Sequence, residues 1–137
     1  MDGKTLTMQH EGERLRAYKD TRGYITIGFG RNLEGRGISH EEALMLFTRD
    51  YSEARNEALT YPWFNSLGEP RQAVVIDMIF ELGTGGFRLF VHLHQALAAR
   101  NYKAAAAAML NSAWDWEVPQ RAHDNAAIMN IGAWPAS

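Results

Sequence analysis

The apolar pattern changes period along the chain, and each change marks a predicted element. Residues 1–11 carry Leu6 and Met8 for burial behind Asp2, which is placed to cap a short helix, and Gly12 suits its end. Between 13 and 38 the pattern becomes glycine-punctuated, β-branched and aromatic. Leu15–Lys19 and Tyr24–Phe29 predict a hairpin closed by Asp20-Thr21-Arg22-Gly23. Gly28 and Gly30 in the returning strand predict a bend or a close approach to the backbone. This stretch is too small to own a core.

Helical spacing takes over at Ser39. Ser39-His40-Glu41-Glu42 is a capping box, in which hydroxyl and carboxylate each satisfy an orphaned backbone donor. Ala43, Leu44, Phe47, Tyr51, Ala54 and Ala58 then form one stripe, predicting a helix over 40–58. Pro62 ends it and Pro70 starts the next. Val74–Leu82 is apolar nearly all round, as in a central buried helix, and Gly83, Gly85 and Gly86 predict its end. Further helices are expected at 87–100 and 102–110, and a last one from Pro119 to Gly132. The fold class is α+β, one domain over 1–137. A sheet lobe covers about 12–38, a linking helix about 40–58 and a helical lobe 1–11 plus 63–137, with a cleft expected between the lobes.

Composition narrows the chemistry. The chain lacks Cys, which excludes disulfides, thiolate metal sites and Cys nucleophiles. A net charge of −2 gives no reason to expect nucleic acid or stable membrane association. No apolar run is long enough to span a bilayer, and the N-terminus lacks a signal-peptide core. His92 and His94, two apart on a helix, point to different faces and do not form a metal pair. Met45, Met78, Met109 and Met129 are read as core filling. Trp63, Trp114, Trp116 and Trp134 are read mostly as core, with stacking on a sugar as the other use for such rings.

The candidate chemistry lies around the hairpin. Glu11 ends the first helix, Asp20 sits at the hairpin turn and Thr26 on the returning strand. Hydrolysing an acetal needs a proton for the leaving oxygen and help for an attacking water, and two carboxyl groups on separate rigid elements meet that need. A separation of about 6.5–9.5 Å leaves room for water and inversion, whereas about 5 Å implies a covalent intermediate.

The full string Glu11-Gly12 … Tyr18-Lys19-Asp20 … Gly23-Tyr24-Ile25-Thr26-Ile27-Gly28-Phe29-Gly30 resembles the phage-type lysozymes (endolysins) of glycoside hydrolase family 24. The resemblance continues through Phe80-Glu81-Leu82-Gly83, Val118-Pro119-Gln120-Arg121-Ala122 and Gly132-Ala133-Trp134. It implies a cofactor-free, metal-free, monomeric muramidase. Such an enzyme cuts the β-1,4 bond between N-acetylmuramic acid and N-acetylglucosamine in peptidoglycan, with inversion. It would be held in the host cytoplasm until release to the wall. By the same resemblance Glu11 is the general acid, Asp20 the second carboxylate and Thr26 the water holder. Asn32, Phe80 and Glu81 meet the substrate, and Arg121 lies near the acid. Arg31 stands where many members have His, Glu81 where an amide is usual and Glu117 where Gln is frequent. A non-catalytic wall-binding module and a chitinase-like hydrolase are the alternatives.

Overall fold

The computed structural model describes residues 1–136. Its fold is α+β: mostly helical, with one small antiparallel sheet. Helix α1 (Gly3–Glu11) starts where the Asp2 carboxylate accepts from Thr5 N at 2.8 Å and stops at Gly12, φ +72°. Strands β1 (Arg14–Lys19), β2 (Ile25–Gly28) and β3 (Arg31–Asn32) follow in the order β1-β2-β3. The third strand was not expected from the sequence: two residues carry no periodic signal, and pairing of Thr26 with Asn32 and Ile27 with Arg31 defines it. A register shift between Arg14 and Tyr18 bends β1, the usual effect of an irregular ladder.

Helix α2 (His40–Ala58) opens on the expected capping box. Ser39 Oγ accepts from Glu42 N at 3.1 Å, and Glu42 Oε1 accepts from Ser39 N at 2.9 Å. The Ser39 bonds, with the charges of Arg31 and Arg36, hold the Glu42 carboxyl below its ordinary range. A 3-10 turn (Phe64–Ser66) leads to α3 (Glu69–Arg88), with Pro70 in its first turn. At Gly83, φ +74° and ψ 170°, the backbone leaves helical geometry, so the buried helix stops where the glycines predicted and a short second helical stretch runs on to Arg88. Helix α4 (Val91–Ala98) accordingly begins later than 87. Helix α5 spans Tyr102–Leu110 and α7 Pro119–Ile131, the latter closed by left-handed Gly132. A short α6 (Ala113–Glu117), capped by Ser112, was not anticipated because five residues give barely one turn of pattern.

Two compact units, Met1–Leu46 and Phe47–Ser137, make up the chain, so α1 belongs with the sheet and not with the later helices as expected above. All buried apolar side chains belong to the second unit. Val74, Val75, Met78 and Ile79 of α3 are covered, as are Leu93 and Leu97 of α4. Ala105 and Ala106 of α5 and Ala122 and Ala126 of α7 are buried too, and small side chains on both helices let them pack closely. Several core expectations are corrected. Met45 is 66% exposed and Trp116 85% exposed, and Leu6, Met8 and Trp134 also face solvent. Of the α2 stripe only Ala54 and Ala58 are buried, because its N-terminal half lies on a unit with no apolar interior.

Candidate active site

Within Met1–Leu46, α1 delivers Glu11 as its last residue. The carboxyl group lies against the backbone at Gly30, φ +77°. A Cβ placed on Gly30 would collide with Glu11 Oε2 and stand 2.9 Å from its Cδ. The close approach expected at Gly30 is therefore made by the proposed acid itself. Glu11 is exposed. Gly12, at φ +72°, ends the helix directly after it, and the Gly12 N–H donates to Met8 O.

Asp20 is partly buried and shapes its own turn. Its Oδ1 accepts from Arg22 N and Tyr24 N, both at 2.9 Å, and its backbone N–H donates to Tyr24 O. Among the described residues Oδ2 has no protein partner, so one oxygen fixes the carboxylate and the other remains available to accept. Tyr18, Thr26 and Asn32 form one row across the sheet, so their side chains share a face. Thr26 is 2% exposed and its Oγ1 donates to Tyr24 O at 2.9 Å. Its proton is thereby committed, leaving lone pairs that could accept from a water. Asn32 Oδ1 accepts from Gly35 N at 2.9 Å, which leaves its NH₂ group as the available donor. Arg31 bonds Glu42 Oε2 at 2.9 Å.

The second unit carries the remaining candidates. Asp77 and Glu81 sit one turn apart on α3. Arg121 of α7 grips Asp77 through two bonds, Nε to Oδ2 at 2.9 Å and Nη2 to Oδ1 at 2.8 Å. Asn125 Nδ2 adds a third to Oδ2 at 2.8 Å. Burial pushes the Asp77 carboxyl up, but the Arg121 and Asn125 hydrogen bonds and the Arg121 charge outweigh it and hold it below its ordinary range. Hydrogen bonding to Asp77, opposed by burial, raises the Arg121 guanidinium, with the Asp77 and Glu81 charges adding to it. Glu81 Oε2 accepts from the Trp114 indole N–H at 2.6 Å, which fixes the orientation of the carboxylate. Phe80, half-exposed, packs on Phe47 with centroids 5.6 Å apart and lines a recess of about 290 Å³ with Asp50 and Glu53. Asp77 was missed from sequence. A lone carboxylate within an apolar helical run demands a buried partner, and that signal could have found it.

The phage lysozyme family matches this chain over residues 8–124. The chain belongs to the phage lysozyme family. Every candidate residue, from Glu11 to Arg121, falls inside the matched span. The chain is 26% identical over 160 aligned positions to probable T4-type lysozyme 1 of Dictyostelium discoideum, covering 94% of each chain. It is 32% identical over 118 positions to the endolysin of Salmonella phage P22, covering 80% of this chain and 79% of that one. It also matches the peptidoglycan hydrolase gp36 of Pseudomonas phage phiKMV at 32% identity, over 83% of this chain but 13% of that longer protein.

Proposed function

We propose that this phage lysozyme family member is a muramidase that hydrolyses the β-1,4 bond between N-acetylmuramic acid and N-acetylglucosamine in peptidoglycan, leading to lysis of the host cell. Glu11 protonates the glycosidic oxygen as the bond to C1 breaks. Asp20 takes the proton of a water that attacks C1 from the other face, and Thr26 accepts a hydrogen bond from that water. Asn32, Phe80 and Glu81 contact the glycan on this reading, Glu81 through the Trp114 pair, and Arg121 supports the site. Inversion, a monomeric state, and residence in the host cytoplasm until release belong to the same proposal. The single observation that supports it best is the Glu11 carboxyl laid against a glycine that leaves it room, on the unit that also presents Asp20 and Thr26.

Clearing of chloroform-treated Gram-negative cells by the unsubstituted chain, Glu11→Gln and Asp20→Asn tests the roles. Each substitution is expected to lower the lysis rate by at least about 10²-fold with unchanged circular dichroism. Equal lysis by all three proteins removes the assignment. Proton NMR of a cleaved oligosaccharide checks the stereochemistry, because inversion at a β-linkage releases the α-anomer first.

A further inference from the structure

Two adjoining recesses in the second unit, of about 590 and 430 Å³, share His94 and Gln95. Both volumes lie in the range that small ligands occupy. An aromatic wall runs along them. Tyr61 and Trp63 stack at 5.0 Å with 15° between their planes, and His94 stands 4.9 Å from Tyr61 and 5.8 Å from Trp63. The His94 ring is fixed by a 2.9 Å bond between Nε2 and Phe87 O. Gln95 is exposed and its amide has no protein partner among the described residues. A cation lines each recess: Arg88 one, Arg100 the other. Arg100 is the one non-glycine residue with positive φ (+56°) among those described, and it makes no ion pair there. That conformation closes the end of α4, where Arg100 N donates to Leu97 O and Asn101 N to Ala96 O, and glycine would adopt it at lower cost. Beneath Arg88, Glu57 is 10% exposed and accepts from it at 3.4 Å, which orients the guanidinium while leaving donors unspent.

We propose that this groove is a second binding site for the glycan strand of peptidoglycan, separate from the residues that cleave it. The Trp63 and His94 rings take the apolar C–H faces of the N-acetylhexosamine rings, and Gln95 bonds their hydroxyl or acetamido groups. Arg88 and Arg100 meet the carboxylates of the lactyl groups and stem peptides. On a polymer a second contact raises retention without any change at the reacting bond. The inference rests on the peptidoglycan reading for the identity of its ligand.

The test uses Gln95→Ala with Arg100→Gly, both at exposed positions, the glycine relieving the positive φ so that folding is preserved. Co-sedimentation with purified peptidoglycan sacculi is measured in a Glu11→Gln background, where the wall is not digested. Binding is expected to weaken about five- to tenfold. Cleavage of a soluble tetrasaccharide by the otherwise active double variant stays unchanged, and the indole N–H resonance of Trp63 shifts when the tetrasaccharide is added at high concentration. Unaltered retention of the double variant on sacculi overturns the proposal, as does a Trp63 resonance that stays in place. Failure of the unsubstituted chain to cleave the tetrasaccharide would count against the muramidase reading alone, because retention is measured without turnover.

Discussion

At Gly30 two requirements coincide: a backbone at φ +77° and a carboxyl group lying where a Cβ would stand. Gly30→Ala should therefore cost about 1–2 kcal/mol of stability from the backbone alone. It should also lower kcat about 10²-fold by displacing Glu11, because small misplacements of a catalytic group are expensive. Urea denaturation and steady-state kinetics separate the two, and a stability loss with normal kcat would show that Glu11 needs no such support. Asp77 ties stability to pH. Its carboxyl titrates near 3.8 when unperturbed and lower in the fold. The stability it supplies is present above the unfolded value and lost as pH falls through the folded one. Asp77→Asn should cost about 1–2 kcal/mol near neutrality, after discounting for its exposure, and the difference should shrink on acidification to about pH 3. A difference independent of pH contradicts that origin. Glu11, Asp20 and Thr26 stand out as candidates because a residue-type string in fixed order carries them. The hydrogen-bonding states of Glu81 and Arg121 were not, since Trp114 and Asp77 are brought to them by tertiary packing alone.

Among the elements, α3, α5 and α7 are tied at one point. Arg71 of α3 donates to Met129 O at 2.8 Å and Asn130 O at 3.0 Å, closing the carbonyl end of α7, and lies over the Tyr102 ring of α5 at 3.7 Å. Arg71→Met should cost about 2–3 kcal/mol from lost charge-assisted bonds and cation–π contact, read as a lower midpoint in thermal unfolding. Gly132→Ala attacks the same joint from the other side, since its Cβ would stand 2.6 Å from Arg71 Cζ at a backbone with φ +78°. A midpoint unchanged in both variants would mean the joint contributes nothing. Strong local signals explain which elements the sequence revealed: a capping box opens α2, a proline at the first turn starts α3 and α7, and an alanine run fills α5. β3 and α6 are too short for any periodicity, whereas the break at Gly83 within α3 was legible from its glycines.

Across the whole molecule, stability is unevenly supplied. No apolar side chain of Met1–Leu46 is buried, and Thr26 is the buried residue there. The second unit holds a continuous apolar cluster from Ala54 to Met129. Native-state hydrogen exchange should follow that division, with β1–β3 amides protected far less than those of α3, α5 and α7. Equal protection in both would show that the sheet draws support from elsewhere. The net charge of −2 adds a kinetic consequence, because an acidic chain gains little long-range attraction to an anionic wall. The proposed role of Glu11 is to supply the proton for a cut on the reducing side of N-acetylmuramic acid. Mass spectrometry of the fragments released from purified peptidoglycan tests it most directly. Muropeptides ending in reducible N-acetylmuramic acid are expected from the unsubstituted chain, and at least about 10²-fold less of them from Glu11→Gln. Fragments ending in reducible N-acetylglucosamine, or an undiminished yield from Glu11→Gln, would contradict it.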